Sequence, residues 1–231
     1  MPDRFNDKAT ARSRFVNDRL TLGNHSARKA SSAVTQRLLQ APELRVSDLR
    51  TTLTVCAYAA FGTEPDTTEL LDTLRSRGVR VLLPVLRPDS DLDWAVYDAA
   101  LAPGRFGLRE PVGERLGVDA IRDADVVIVP ALAISSTGQR LGRGGGSYDR
   151  ALTRLTVRKA DPEHSTYATQ PSAHASQPWV CALVYDHELD ADFPVETHDR
   201  PVDAACAPNR LARFRGSAEA GDGRADLGSG L

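Results

Sequence analysis

The sequence predicts an α/β fold, in which a mostly parallel open sheet lies between two layers of helices in a three-layer α/β/α arrangement. Four short apolar runs rich in β-branched residues, at 51–58, 79–84, 125–130 and 179–185, have the composition of buried strands. Segments with helical spacing of apolar residues separate several of these runs, which indicates parallel strands joined by right-handed crossovers. A chain of 231 residues is long enough to bury one sizeable core.

Two helices are predicted ahead of the first strand, over residues 4–21 and 26–40, the second ending before Pro42. The first helix is amphipathic, because recurring basic residues, among them Lys8 and Arg12, alternate with apolar positions. A basic helix face is usually solvated. The alternative is that this face is an anion-binding arm.

The strand at 51–58 leads through a polar loop to a helix near 67–77, and the strand at 79–84 follows, which makes a βαβ unit with parallel strands. Glu64 lies in the loop after the first strand. A loop glutamate is usually solvated or caps the following helix. However, the ligands of open α/β sheets bind at the carboxyl ends of the strands, where Glu64 would lie.

Residues 91–98 alternate in polarity and predict an edge strand or a hairpin arm. The turn-rich loop 103–111 follows and carries Phe106, although a lone aromatic in such a loop is more often packed than functional. After the last buried strand, the polar segment 193–203 contains Asp199 in a dipeptide that by default lies at the surface.

The chain is organised around a glycine-rich stretch that follows the strand at 125–130. Residues 140–150 read Arg-Leu-Gly-Arg-Gly-Gly-Gly-Ser-Tyr-Asp-Arg, and the apolar spacing predicts a helix over 147–155. Glycine permits positive φ and lets backbone N–H groups approach a ligand, and a helix N-terminus adds partial positive charge, so this order suits a phosphate. The spacing fits neither the Walker A pattern nor the dinucleotide fingerprint. For the glycine cluster alone, a tight turn with solvated arginines is the alternative.

Composition limits the class of function. The net charge of −2 argues against a nucleic-acid partner, and the absence of a long apolar stretch argues against a membrane span or a signal peptide. Three distant cysteines, Cys56, Cys181 and Cys206, argue against a zinc site and suit buried reduced thiols. We therefore expect a cytoplasmic protein. We also expect a monomer, although the sequence does not fix the oligomeric state.

Residues 1–214 are predicted to form a single domain. Within it, the segment near 159–178 is rich in Ser, Ala, Thr and Pro and is predicted to be a flexible insertion. Residues 215–231 offer almost no apolar surface to bury, so they are predicted to form a disordered tail.

The string RLGRGGGSYDRAL at 140–152 closely resembles the RLGxGxGYYDxxL motif of the 5-formyltetrahydrofolate cyclo-ligase family, also called methenyltetrahydrofolate synthetase. The resemblance covers roughly residues 8–210, the insertion excepted. Near the N-terminus, Lys8-x-x-x-Arg12 is similar to the family's KxxxR motif, and the loop that carries Glu64 is similar to the family loop whose glutamate lines the folate pocket. Further along the chain, the loop that carries Phe106 is similar to the family's G-(I/L)-x-E-P segment, and residues 194–203 are similar to its C-terminal block.

The resemblance implies an ATP- and magnesium-dependent enzyme that converts 5-formyltetrahydrofolate into 5,10-methenyltetrahydrofolate, ADP and phosphate. Phosphorylation of the formyl oxygen by ATP would turn that oxygen into a leaving group, so that N10 of the folate can close the five-membered ring. The protein then has to position the reactants and neutralise charge.

The resemblance also implies a role for individual residues. Nucleotide binding falls to Lys8, Arg12, Arg140, Gly142, Arg143, Gly144, Gly145, Gly146 and Tyr148. Folate binding falls to Ala59, Glu64, Phe106, Ser147 and Tyr148, and magnesium binding to Asp149 and Asp199. The catalytic set is Arg143, Tyr148 and Asp149. For Asp149, in the first turn of the predicted helix, a favourable interaction with the helix dipole is the alternative.

Two departures from the family's pattern leave other functions open. Ser147 stands where the family has a tyrosine, and Ile134-Ser135 stands where it has Phe-Asp. Both keep open a non-catalytic protein that binds folate or nucleotide. Because a fold does not fix a function, a sugar-phosphate isomerase or a CoA-handling enzyme on the same architecture stays open as well.

Overall fold

A computed structural model of the chain describes residues 5–45, 52–156, 177–197 and 199–214. The helices are α1 (Lys8–Thr21), α2 (Asn24–Leu38), α3 (Thr68–Ser76) and α4 (Ser147–Thr153). The strands are β1 (Thr54–Cys56), β2 (Arg80–Leu86), β3 (Leu92–Val96), β4 (Leu101–Pro103), β5 (Arg109–Pro111), β6 (Val126–Pro130), β7 (Ala133–Ile134), β8 (Arg140–Leu141), β9 (Trp179–Leu183), β10 (Ala204–Cys206) and β11 (Leu211–Arg213).

Seven strands form the central sheet, in the order β11-β10-β9-β6-β1-β2-β3. The five inner strands pair in parallel, and the two edge strands, β3 and β11, pair antiparallel with their neighbours. The predicted mostly parallel sheet is therefore confirmed, and so is the βαβ unit of β1, α3 and β2. Two small antiparallel hairpins, β4–β5 and β7–β8, lie outside this sheet.

Helices cover both faces of the sheet, which confirms the three-layer α/β/α arrangement. On one face, α2 and α3 contribute Val34, Leu38 and Leu70 to a core cluster with side chains of β1, β2, β6, β9 and β10. On the other face, α4 contributes Ala151 and Leu152 to a second cluster. The strands alternate between the two clusters, as expected for strands buried on both sides.

Helix α1 packs on the β7–β8 hairpin rather than on the sheet. Its buried residues Ala11 and Phe15 contact Leu132 and Leu141. The helix begins after Asp7, whose carboxylate accepts a hydrogen bond from the Thr10 backbone N–H at 2.8 Å, an N-cap interaction. This packing brings the basic face of α1 next to the segment that follows β8.

The three cysteines are buried and free, which agrees with the prediction of buried reduced thiols. Burial raises the pKa of all three thiols, that of Cys206 to about 12, so they stay protonated near neutral pH. Within the described ranges, no helix combines the length and the apolar character needed to cross a membrane. The predicted tail and the predicted insertion, apart from residues 177 and 178, lie outside the described residues.

Candidate functional site

The carboxyl ends of three neighbouring strands meet at one edge of the sheet. Strands β1, β6 and β9 are adjacent and parallel, so the segments that follow them emerge on the same side. Glu64 follows β1, the glycine-rich segment 142–146 follows β6 through the β7–β8 hairpin, and Tyr185 follows β9. Segments that are distant in the sequence, two of which carry predicted site residues, therefore meet at this edge of the sheet.

The glycine-rich segment curves closely over two arginines, and this explains two of its glycines. At Gly142 a Cβ atom would lie 2.8 Å from Nη1 of Arg140, so a larger residue would displace that side chain. Gly144 has φ of +98°, a conformation that side chains rarely adopt, and a Cβ there would lie 3.4 Å from Cζ of Arg12. Gly146 follows as the N-cap of α4.

Arg12 reaches the glycine-rich segment from α1. Its Nε donates a hydrogen bond to the carbonyl oxygen of Gly142 at 3.0 Å. In the part of the chain that the structure describes, no carboxylate pairs with Arg12. Its positive charge therefore stays available beside the segment.

Lys8, one helical turn before Arg12, has a different environment. Its Nζ lies 2.6 and 2.8 Å from the two carboxylate oxygens of Asp199, and 3.5 Å from Glu196. Both Lys8 and Asp199 have side chains about nine-tenths buried, at 10% and 8% exposure. This ion pair joins the start of α1 to the segment that precedes β10.

Arg140 is buried and paired with a carboxylate. Its Nη2 donates to the carboxylate of Asp149 at 2.7 Å, and its Nη1 donates to the carbonyl of Pro130 at 3.2 Å. Its guanidinium also lies 5.8 Å from the ring centroid of Tyr148. Asp149 is in the first turn of α4, but Gly146 occupies the cap position, so the Asp149 carboxylate binds Arg140 rather than capping the helix.

Arg143 and Glu64 form the third ion pair of the site. Nε of Arg143 lies 3.0 Å from Oε1 of Glu64, and the guanidinium lies 5.6 Å from the ring centroid of Phe61. The other carboxylate oxygen of Glu64 accepts the backbone N–H of Phe61 at 2.8 Å. Glu64 thus holds its own loop together and ties it to the glycine-rich segment. It does not cap α3, whose N-cap is Thr67.

Tyr148 lies between the two core clusters at the end of the sheet and is half-buried. Burial raises the pKa of its phenol well above the usual value, and the nearby Glu64 carboxylate raises it further. The phenol therefore stays protonated near neutral pH. In a ligand site it can donate a hydrogen bond or stack, but it cannot serve as a base.

The remaining predicted folate residues line the same side of the molecule. Phe106 is 78% exposed at the tip of the β4–β5 hairpin and has φ of 55°. Its neighbour Gly107 is close to Phe61, since a Cβ there would lie 3.4 Å from the Phe61 ring. Ala59 lines a cavity of about 190 Å³ together with the side chains of Tyr97, Arg109 and others. Ser147 is the first residue of α4.

The two carboxylates expected to bind magnesium are both engaged by protein cations. No group of three or more metal-binding side chains occurs among the described residues. Asp149 and Asp199 instead lie against different cations, Arg140 and Lys8. Magnesium is commonly bound by one or two carboxylates plus substrate phosphates, so a sparse carboxylate set is compatible with it.

Two buried residues of this region had no sequence motif to identify them. Arg19, near the end of α1, forms a fully buried ion pair with Glu188, with its Nη2 2.8 Å from Oε2 of that carboxylate. Tyr58 follows β1 and is 3% exposed. Arg19 looked like one more residue of a basic helix face, and Tyr58 looked like part of a strand.

Comparison with known proteins gives a consistent result. The family model described as "5-formyltetrahydrofolate cyclo-ligase family" matches residues 4–208. The 5-formyltetrahydrofolate cyclo-ligase of Mycolicibacterium smegmatis is 42% identical over 163 residues, covering 68% of this chain and 74% of the relative. That of Escherichia coli K12 is 35% identical over 162 residues, covering 68% and 79%.

Two solved structures share the fold. The NMR structure of Aquifex aeolicus 5,10-methenyltetrahydrofolate synthetase superposes with a TM-score of 0.69 at 24% identity, covering 94% of this chain and 97% of that one. The 5,10-methenyltetrahydrofolate synthetase of Mycoplasma pneumoniae gives a TM-score of 0.60 at 17% identity, covering 87% and 99%. At these identities the likeness concerns the architecture.

Proposed function

The chain belongs to the 5-formyltetrahydrofolate cyclo-ligase family, and from this membership we propose that it catalyses the ATP-dependent cyclisation of 5-formyltetrahydrofolate to 5,10-methenyltetrahydrofolate, with release of ADP and phosphate. The observation that carries the proposal is the arrangement of charge at the carboxyl edge of the sheet. Arg12, Arg140 and Arg143 lie in or against the glycine-rich segment. The carboxylates of Asp149 and Glu64 pair with two of these arginines.

Three of the four proposed phosphate-binding cations are held by proposed ligand-binding carboxylates. Each such pair is satisfied internally as long as no ligand is bound. Bound phosphates would compete with the carboxylates for these cations, and carboxylates released in this way would be able to hold a divalent metal. The pairs are Lys8 with Asp199, Arg140 with Asp149, and Arg143 with Glu64.

In the proposed mechanism the protein positions the reactants. The formyl oxygen attacks the γ-phosphorus of ATP, and the bond between that phosphorus and the ADP oxygen breaks. N10 then attacks the formyl carbon, the phosphate leaves with the former formyl oxygen, and N10 loses its proton. Arg12, Arg143 and the backbone of 142–146 hold the phosphates in line, which stabilises the charge that develops during transfer.

Asp149 and Asp199 are the proposed magnesium ligands. When bound, magnesium would offset the negative charge of the phosphates. The carboxylate of Asp149 is 21% exposed and lies beside the start of α4, so it can face a metal on the phosphates once Arg140 shares it. Asp199 is less exposed, at 8%, and has to part from Lys8.

The folate is proposed to bind between the loop after β1 and the β4–β5 hairpin. Phe106 offers an exposed aromatic face for a planar ring, and Tyr148 offers a protonated phenol. Glu64 offers a carboxylate that can accept N–H groups, and the cavity beside Ala59 adds apolar and polar lining.

Ser147→Tyr is expected to be tolerated and to tighten the binding of 5-formyltetrahydrofolate. Position 147 is half-buried at the first residue of α4, beside the proposed folate site, and a tyrosine there would add an aromatic face. Stacking of a planar ring on an aromatic side chain contributes about 1–3 kcal/mol in nucleic-acid complexes. Titration of both proteins with 5-formyltetrahydrofolate measures the effect, and weaker binding by the variant would show that the site is built around serine.

The proposal is tested by ATP hydrolysis in the presence and absence of 5-formyltetrahydrofolate. A cyclo-ligase should release ADP only when the folate is present, and chelation of divalent metal should stop the release. A non-catalytic binding protein would bind both ligands without releasing ADP. An enzyme of sugar phosphates or CoA on the same architecture would show no response to the folate.

A further inference from the structure

Several buried polar side-chain atoms have no hydrogen-bond partner among the described residues, and two of them belong to side chains that are linked to the loop of Glu64. These two atoms are Nη1 of Arg19 and Oη of Tyr58, in side chains that are 2% and 3% exposed. Buried polar groups are nearly always hydrogen-bonded, because an unsatisfied one loses its bonds to water without replacement. Two such groups in one region therefore point to a partner that the protein chain does not supply.

Contacts and electrostatic interactions connect both side chains to the loop that carries Glu64. The Arg19 guanidinium is 5.4 Å from the ring centroid of Tyr185, and Oη of Tyr185 donates to the carbonyl of Thr63 at 3.4 Å. Tyr58 directly precedes Ala59. Burial raises the pKa of the Tyr58 phenol, the Glu64 carboxylate raises it further, and the Arg19 guanidinium lowers it, which places all three groups within electrostatic reach.

The charge around these atoms indicates what kind of ligand group they would accept. Arg19 is already neutralised by Glu188, which it contacts through Nε and Nη2, and Nη2 also donates to the carbonyl of Ala131 at 2.6 Å. The remaining Nη1–H is thus a donor from a neutral pair, and the phenol is a neutral donor. Glu64 is paired in the same way with Arg143, so this region offers neutral donors without excess positive charge. Such donors suit an uncharged carbonyl oxygen better than a phosphate, whose charge they would not offset.

We propose that Arg19 and Tyr58 form the inner wall of the folate site and donate hydrogen bonds to the carbonyl oxygen of the pteridine ring. This inference rests on the proposed function. The 2-amino-4-oxo edge of a pteridine presents N–H donors beside a carbonyl acceptor. The Glu64 carboxylate complements the donors, and the Arg19 and Tyr58 donors complement the acceptor. Because both atoms are sealed from solvent, the loop of Glu64 has to move for the ring to reach them.

Tyr58→Phe tests the proposal, because it removes a hydroxyl that has no partner in the protein. The KM for 5-formyltetrahydrofolate and its dissociation constant, measured by titration without ATP, should rise about tenfold, the factor that corresponds to one lost buried hydrogen bond. The KM for ATP should stay within a factor of two. The melting temperature should stay the same or rise, because an unsatisfied buried group is removed.

Trp94→Phe is the matched control. Nε1 of Trp94 is another buried donor without a partner among the described residues, but it belongs to the core cluster on the opposite face of the sheet. This variant should leave both KM values unchanged even if it lowers the melting temperature. Arg19→Lys should weaken folate binding as Tyr58→Phe does, and if it fails to fold, Tyr58→Phe alone decides.

If Tyr58→Phe binds folate with an affinity within a factor of two of the wild-type value, the proposal is overturned. The Tyr58 hydroxyl would then be a hydrogen-bond partner of a buried water and not of the folate. Equal increases in the KM for ATP and for folate would overturn it too, and so would a lower melting temperature, which would reveal an internal partner. Wild-type turnover is measured first in the same assay. Its absence would refute the proposed function, whereas the binding titration would still decide on Tyr58.

Discussion

Asp149→Asn is expected to lower turnover at least a hundredfold while the protein stays folded. The substitution keeps the shape of the side chain and an oxygen that can accept the hydrogen bond from Arg140, but it removes the negative charge. A metal ion on the phosphates would lose a carboxylate ligand, and charge stabilisation of this kind contributes about 2.7–4 kcal/mol to a transition state. The dependence of the rate on magnesium concentration should shift to higher concentrations.

The same substitution also leaves Arg140, which is 5% exposed, without its counter-charge. We therefore expect the free energy of unfolding to fall by about 1–3 kcal/mol. Glu43→Gln is the matched control, because Glu43 pairs with Arg213 at 2.5 Å on β11, at the far edge of the sheet, and its side chain is 22% exposed. It should cost less stability, because the Arg213 side chain is 31% exposed, and it should leave turnover unchanged.

The two roles of Asp149 are separated by measuring unfolding, folate affinity and the magnesium-dependent rate on the same variant. If Asp149 serves only as the counter-charge of Arg140, the variant will lose stability but turn over at the normal rate with little magnesium. That result would refute the proposed metal role.

Arg12→Ala is expected to raise the KM for ATP tenfold or more and to leave the KM for 5-formyltetrahydrofolate within a factor of two. Of the proposed phosphate-binding cations, Lys8, Arg140 and Arg143 are paired with carboxylates, whereas Arg12 has no such partner among the described residues. It also contacts the carbonyl of Gly142, where the phosphates would lie. A charge-assisted hydrogen bond contributes about 1.5–3 kcal/mol, which corresponds to the expected loss.

Arg14→Ala provides the control for Arg12→Ala. Arg14 lies on the same helix, but its Nε is 3.0 Å from the carboxylate of Asp18 in a partly exposed pair. This variant makes the same chemical change without touching the glycine-rich segment, so the KM for ATP should not change. An equal effect of the two variants, or an equal loss of ATP and folate affinity in Arg12→Ala, would count against the assignment.

Most of the fold follows from the sequence because the strands of the sheet centre are buried on both faces. Runs such as 125–130 consist almost entirely of apolar residues, and the structure places this one at the middle of the sheet as β6. The β7–β8 hairpin was not predicted, because its strands have two residues each and show no periodicity. Strand β10, with the sequence Ala-Ala-Cys, lacks the β-branched residues that indicate a strand.

The sequence predicted individual residues of the candidate site but not the ion pairs that connect them. The motif residues come from distant segments, and parallel strand order explains why they meet at one edge. The sequence does not show that Arg143 binds Glu64 or that Arg140 is buried against Asp149, because these contacts depend on how far each loop reaches. The buried pair of Arg19 and Glu188 spans most of the chain and left no local pattern.

The central claim is that this chain closes the methenyl ring at the expense of ATP. The most direct measurement follows the absorbance of 5,10-methenyltetrahydrofolate after the 231-residue protein is mixed with 5-formyltetrahydrofolate, ATP and magnesium. We expect the absorbance to grow, with one ADP released for each methenyl product, and to stay flat when ATP is omitted. Product formation without ATP, or no product with all components present and the protein folded, would contradict the claim.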